Sequence, residues 1–336
     1  SFMQPLADSA NLLAEPTVWH WTVAMDITHE VIIIGGGAAG LSAALMLGRA
    51  RRRVVVVDSL EPRNRFAATM HGVLGHDGLP PDELLRRGRA EVQGYGVEIV
   101  DAAVDRVDLV DGGVLAILED GRTLRARVVI VATGLVDDLS AIPGVAQRWG
   151  SRVLHCPYCH GWEVQDQRFG VVMTSPMSMH QALLVRQWTD RVVAFTAGAG
   201  ELGGDALRQL QARGITVVGS PVLAVDGDDT APLAVHTADG GITEVDVIFT
   251  GGVLRPREHA VAHLELARTD TPVGSVIAAD AMGATSDPRV WLAGNIANPM
   301  ATVTVAMAAG STAGAAVNAS LVMAETAAAV GALDQR

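Results

Sequence analysis

The two cysteines of the chain form a single C-x-x-C, in the run His155-Cys156-Pro157-Tyr158-Cys159-His160. Four chemistries use such a pair. A zinc site needs four converging ligands, which six consecutive residues can hardly supply. Cys156-x-x-Cys159-His160 also matches the attachment of a c-type haem, which requires export and an axial ligand. A buried structural pair is the third reading. A redox dithiol is the fourth and the expected one: C-x-x-C places two sulfurs within disulfide reach, often at a helix start where a thiolate is stabilised. His160 adds an imidazole titrating near neutrality, suited to deprotonating an incoming thiol; the alternative is a cap or packing role. His155 either tunes the cysteines, takes the base role itself or ends a strand.

A second motif stands far from the dithiol in sequence. The apolar run Val31-Ile32-Ile33-Ile34 is followed by Gly35-x-Gly37-x-x-Gly40, an Ala/Leu-rich helical pattern to Arg49, and the strand Val54–Val57 ending in Asp58. Strand, glycines, helix, strand and acid in that order predict a dinucleotide site. Gly35 permits a tight turn, Gly37 lets a pyrophosphate reach the backbone, and Gly40 allows close helix–strand packing. The helix N-terminus faces the phosphates and Asp58 accepts from ribose hydroxyls. The alternative is a glycine turn with no ligand.

The elements that position these residues read as α/β. A helix is expected over Pro81–Gly94 and short alternating strands over Val104–Leu109 and Val114–Leu118. A buried strand runs from Val128 into Ala132-Thr133-Gly134. A second unit then follows, with strand Gly170–Met173, helix Met179–Trp188, strand Val192–Phe195 and a further strand-to-glycine turn over Val245–Gly251. Val290–Asn295 returns to buried-strand character before a final Ala-rich helix.

With 336 residues, two domains are the prior. Hydrophobic residues are 49% and charged residues 18%, enough for a large core and unlike a disordered chain. A net charge of −12 argues against nucleic-acid binding. No lysine is present, which excludes Schiff-base chemistry, pyridoxal phosphate and a P-loop. One C-x-x-C and no basic-then-apolar leader suggest the cytoplasm. Ala301–Leu333 is long and apolar but interrupted by Thr302, Thr304, Ser311, Thr312 and Asn318, so a close-packed soluble helix is expected there and not a membrane span. Residues 1–25, with Val18-Trp19-His20-Trp21, read as an N-terminal extension.

Together these motifs resemble the low-molecular-weight thioredoxin reductase family across about residues 28–322. The resemblance rests on Gly35-x-Gly37-x-x-Gly40, Ala132-Thr133-Gly134, Ile142-Pro143-Gly144 leading to the C-x-x-C, and Leu292-Ala293-Gly294-Asn295 with the helix through Ala308-Ala309-Gly310. It implies two Rossmann-like domains in a homodimer: a discontinuous FAD domain, 26–137 and 255–325, and a nicotinamide-type domain, 138–254, carrying the dithiol. It places Gly35, Gly37, Gly40, Asp58, Thr133, Gly134, Gly294 and Asn295 at FAD, although Asn295 stands where the family has Asp. The stretch Arg63-Asn64 to His71-Gly72 and His76-Asp77-Gly78 resembles segments near the flavin, making Asn64 either an FAD contact or a turn residue.

The second nucleotide site departs from the family. Thr174-Ser175-Pro176-Met177-Ser178-Met179 replaces a glycine-rich loop, and Val193–Gly198 lacks the basic pair for the NADP phosphate. Nicotinamide is therefore not expected to bind. With Cys156–Glu163 reading C-P-Y-C-H-G-W-E, the chain resembles the FAD-dependent dithiol oxidases that close disulfides of gliotoxin-, holomycin- and romidepsin-type compounds, the holomycin type being the expected member. That implies a small-molecule dithiol as substrate, O2 as acceptor, Cys156 as the attacked sulfur, Cys159 beside the flavin and His160 as base, with no metal. A disulfide reductase and a flavin-bearing redox binding protein are the competing functions.

Overall fold

A computed structural model describes residues 28–228, 231–271 and 274–335; the expected extension, with its aromatic cluster, lies outside them. β-Branched residues in short unbroken runs build the first sheet. Its strands lie in the order Val290–Leu292, Val128–Val131, Val31–Ile34, Val54–Asp58, Glu98–Asp101, all parallel. The inner strands are buried along their length, as strands covered on both faces must be.

Alternation divides the residues between the faces. Val31, Ile33, Val54 and Val56 pack with the helices Ala38–Arg49 and Val303–Asp334 and with Val92 of the helix Pro81–Gly94. Ile32, Ile34, Val55 and Val57 meet a three-stranded antiparallel sheet through Val107, Val114 and Ala116. The second sheet repeats the plan, in the order Thr216–Val218, Val192–Phe195, Phe169–Val172, Val247–Thr250, Val153–Leu154, again all parallel. Helices Ser178–Val185 and Gly204–Ala212 cover one face, and the antiparallel strands Val222–Asp226, Leu233–Thr237 and Ile242–Val245 the other. Between the sheets, Leu135–Asp138 and Val253–Pro256 run side by side and antiparallel, where the chain leaves the first sheet and returns.

Two expectations are adjusted. The helix expected over 179–188 is Ser178–Val185: Gln187 and Trp188 fold into turns on Leu184 and Val185, which sets the Trp188 ring against the dithiol segment. The C-terminal helix is close-packed on one side only. A Cβ on Gly310 would run into the Ala39 carbonyl, and one on Gly314 would lie 2.7 Å from the Ala43 carbonyl, so small residues let the two helices meet. Past Leu321 its apolar residues Met323, Val330 and Leu333 are exposed. By length and composition the helix could cross a membrane, and only 11% of its most apolar window is buried. Glu325 nevertheless fastens it to the first unit, pairing with Arg52 and Arg127.

The helix contact gives a paired prediction. Gly310→Val should lower unfolding stability by about 1–3 kcal/mol, the usual cost of overpacking. Gly331→Ala, in the same helix with open space around it, should raise stability by up to about 1 kcal/mol through helix propensity. Denaturant unfolding measures both; equal effects would contradict the packing.

Candidate active site

The dithiol begins where strand Val153–Leu154 ends. Leu154 pairs with Phe249, delivering His155 to the carboxyl edge of the second sheet. There its Nδ1 lies 3.3 Å from the Thr250 carbonyl and its own carbonyl accepts from Gln181 Nε2 at 2.6 Å. Cys156 is the N-cap of a one-turn helix, Pro157–His160, with Pro157 at the first position, where a missing N–H costs nothing. The cysteines are joined as a disulfide with a Cα–Cα distance of 5.2 Å, and the Cys159 N–H donates to the Cys156 carbonyl at 3.1 Å. Gly161 follows because a Cβ would press on the Pro157 carbonyl and the Trp188 ring, 2.6 and 2.8 Å away. Tyr158 packs edge-on against Trp188 yet stays largely exposed, as does Trp162.

Both flanking imidazoles are pushed down from the ordinary histidine value, chiefly by burial. For His155, Asp137 and the Thr250 carbonyl oppose the shift and Arg63 adds to it. For His160, the Cys156 carbonyl and Glu163 oppose it and His71 adds to it. The His160 Nδ1 is buried without a hydrogen-bond partner among the described residues. The neutral imidazole that burial favours is the form able to accept a proton.

The glycine motif folds into a strand–helix turn. Gly35 has φ +104°, and a Cβ there would meet the Ala132 carbonyl 2.5 Å away. One on Gly40 would strike the Gly35 carbonyl, whereas Gly37 faces open space. The helix Ala38–Arg49 starts at Gly37 with no side-chain cap and no acid in its first turn, leaving its amide end open to an anion. Asp58 arches over this loop, its Cγ 2.6 Å from where a Cβ on Gly36 would stand.

Residues 29–310 match the model of the family described as pyridine nucleotide-disulphide oxidoreductase. The chain belongs to that family. Thioredoxin reductase sirT of Leptosphaeria maculans is 31% identical over 314 residues, 86% of this chain and 93% of that one. Thioredoxin reductase tcpT of Claviceps purpurea is 34% identical over 192 residues, 52% of this chain, and the match spans 58% of that protein's length. The crystal structure of HlmI superposes with a TM-score of 0.85 at 44% identity, covering 91% of this chain and 96% of that one. The protein is thus a pyridine nucleotide-disulphide oxidoreductase of thioredoxin reductase type, and FAD is its cofactor.

The residues present fit that cofactor. Gly35, Gly37, Gly40, Asp58, Thr133 and Gly294 converge on the uncapped helix end: Thr133 backs onto Gly35, and Gly294, at φ +79°, packs against Ala39. Four of the expected residues also make hydrogen bonds within the protein. The Thr133 hydroxyl donates to the Arg257 carbonyl at 2.6 Å, and Gly134 accepts from the Arg257 N–H, tying this turn to the returning strand. Asn295 Nδ2 lies 2.9–3.2 Å from the carbonyls of Asn298, Pro299 and Ala301. An acceptor-only carboxylate could not make those bonds, which explains the amide where the family has Asp. Asn64 lies in a turn in which its backbone carbonyl accepts from the Ala67 N–H.

The partners of four residues escape the sequence reading. Arg89 pairs with Asp58 at 3.0 Å and also with Asp101. Arg63, beside Asn64, grips Asp137 with two bonds of 2.7 and 2.8 Å. His71 reaches Glu163. Ser178 Oγ accepts from the Thr174 and Ser175 N–H groups at 3.1 and 3.4 Å, engaging amides that a second pyrophosphate would use. Beside that loop lies a cavity of about 450 Å³, lined by Ile142, Met173, Phe195, Ser220 and Val222 among others. Its described lining holds no Arg, and its one charged residue, Asp138, is paired with Arg255.

Two glycine variants separate fold from cofactor. Gly37→Ala should fold, within about 0.5 kcal/mol of wild type, but purify with much less FAD, because its methyl occupies the open approach. Gly40→Ala should be markedly less stable than Gly37→Ala, because its Cβ would strike the Gly35 carbonyl. Circular dichroism and flavin absorbance report both; full FAD content in Gly37→Ala would contradict the assignment.

Proposed function

We propose that the enzyme oxidises a small-molecule dithiol to its intramolecular disulfide, with O2 as the electron acceptor and H2O2 as the second product, in the biosynthesis of a dithiol natural product. The observation that carries this reading is the loop at Thr174–Ser178. Ser178 engages its Thr174 and Ser175 amides, Pro176 offers none, and no basic residue is among the described residues that line the cavity beside it. A nicotinamide donor has no cradle there, so electrons enter from the thiol side.

In this reading His160 takes the proton of the first substrate thiol. The thiolate attacks Cys156, the Cys156–Cys159 bond breaks, and Cys159 leaves as a thiolate. The second substrate thiol attacks the substrate sulfur of the mixed disulfide, its own proton passing to the base or to water, and Cys156 is released with the cyclic disulfide product. Two electrons and two protons have then left the substrate. FAD, when bound at the glycine loop, supplies the route by which that electron pair reaches O2. Burial keeps the His160 ring neutral and so able to accept the proton. We take the enzyme to be a cytoplasmic homodimer with its FAD unit at 26–137 and 255–325 and its second unit at 138–254.

Anaerobic stopped-flow tests the reading against a reductase fed by NADPH. Dithiothreitol should bleach the flavin, whereas NADPH and NADH should not at a comparable rate; rapid reduction by either would favour the reductase. Cys159→Ser and Cys156→Ser should each abolish reduction by the dithiol. His160→Ala should keep FAD and slow reduction by about 10²–10⁴-fold, the usual general-base loss. That deficit should shrink as pH approaches about 8.5, where thiols ionise unaided. A wild-type rate for His160→Ala at pH 7 would contradict the base assignment.

A further inference from the structure

The cavity beside the Thr174–Ser178 loop lies at the carboxyl edge of the second sheet, where open α/β sheets place ligands, and the proposed reaction gives it no part. Its volume, about 450 Å³, is that of a small-molecule pocket. Met173 and Phe195 line it from the sheet, and Asp138 and Val253, which face each other in the antiparallel pair between the sheets, line it from the connector. The Asp138 carboxylate is taken by Arg255 at 2.6 Å, and no basic residue is among the described lining. Ser140 and Ser220, also in the lining, each accept a backbone N–H at Oγ, from Ile142 at 3.4 Å and from Asp239 at 3.1 Å. Among the described residues neither hydroxyl donates to a protein acceptor. Gly251 closes the side towards the dithiol. Its carbonyl accepts from Thr174 Oγ1 at 3.1 Å, and a Cβ placed on it would lie 3.5 Å from both Cε1 and Nδ1 of His155. The ring that precedes Cys156 therefore stands directly behind one wall of the cavity.

We propose that this cavity is a binding site for an uncharged, mainly apolar ring molecule that carries a hydrogen-bond acceptor, and that its occupancy is felt at His155 through Gly251. The proposal goes beyond the oxidase reading and holds whichever way the electrons run. Charge selects the ligand. An anion would leave water for a lining with no described cation, and a cation would find the one carboxylate already paired, so either pays a desolvation cost that a neutral ring avoids. A nucleotide would bring its phosphates to the same lining. The apolar side chains supply contact area, and the two serine hydroxyls supply donors that a ligand carbonyl or ring nitrogen can accept from. Coupling follows from the shared wall: the Gly251 peptide is held by Thr174 on the cavity side and packs on the His155 ring on the other, while the next carbonyl back, that of Thr250, is 3.3 Å from His155 Nδ1. A ligand that presses on this peptide shifts the surroundings of that ring.

Three probes with the same bicyclic ring test the site: neutral 2-quinolone, the anion quinoline-2-carboxylate and the cation N-methylquinolinium. Each is titrated into holoenzyme carrying ¹³C-methyl methionine and ¹³C-histidine, with the Met173 and His155 resonances assigned by their loss in Met173→Leu and His155→Asn. The neutral probe should shift both resonances with one saturation curve, and the two ions should bind at least about tenfold more weakly. Ala197→Trp, which fills the cavity from its lining, should abolish both shifts with the flavin spectrum unchanged. The double variant Ser140→Ala/Ser220→Ala should weaken binding of 2-quinolone by about 2–10-fold, the usual worth of a lost hydrogen bond. No saturable Met173 shift, equal binding of the anion, displacement of 2-quinolone by AMP, or an unaltered curve in both variants would overturn the site. A Met173 shift with a still His155 would overturn the coupling. All of these are read without turnover, so a failure of dithiols to reduce the flavin would defeat the oxidase reading and leave this result standing.

Discussion

The bidentate pair between Arg63 and Asp137 joins the parts of the molecule that must act together. Asp137 sits in the strand that leaves the first sheet, and its side chain is only 9% exposed. Arg63 comes from the loop between strand Val54–Asp58 and helix Pro81–Gly94, and its remaining nitrogen donates to the Pro299 carbonyl at the entrance to the C-terminal helix. A pair this sheltered is costly to desolvate, so its value lies less in net stability than in fixed geometry. Three segments are held in one register by two side chains. The same carboxylate and guanidinium act on His155, so the joint also reaches the dithiol.

Around that joint one architectural plan is used twice with different outcomes. Each unit has a five-stranded parallel sheet, helices on one face and a three-stranded antiparallel sheet on the other. In each, the turn after a central strand faces the carboxyl edge, where open α/β sheets place ligands. The first turn keeps an uncapped helix end and a glycine with open space beside it. The second has an internal serine acceptor, a proline and no glycine. Glycine in one loop and Ser178 in the other thus separate a phosphate cradle from a closed turn, with no change of fold.

Local features were legible in the sequence. Runs such as Val31–Ile34 and Val128–Val131 read directly as buried strands, and the distinct duties of Gly35, Gly37 and Gly40 follow from their places in one turn. The dithiol and its adjoining histidine needed only adjacency. Less legible were features that depend on distant partners. Asp58 is where the pattern puts it, but Arg89 beside it comes from another helix. Asn295 stands where the family has Asp, and the three carbonyls that suit an amide there come together only in the fold. Glu163 was visible in the C-P-Y-C-H-G-W-E run, whereas His71, its partner across the boundary, could be paired with it only in space. The C-terminal helix was found within two residues of its ends, yet composition could not tell which of its faces the fold would cover.

In the proposed reaction electrons run from a substrate dithiol through Cys156 and Cys159 to oxygen. The most direct measurement is the stoichiometry of aerobic turnover on a small dithiol without nicotinamide, following oxygen uptake, peroxide and disulfide together. The account predicts that the three appear in equal amounts, and that turnover is lost in Cys156→Ser and in Cys159→Ser. Disulfide formation without matching oxygen uptake and peroxide, or turnover that requires NADPH, would contradict it.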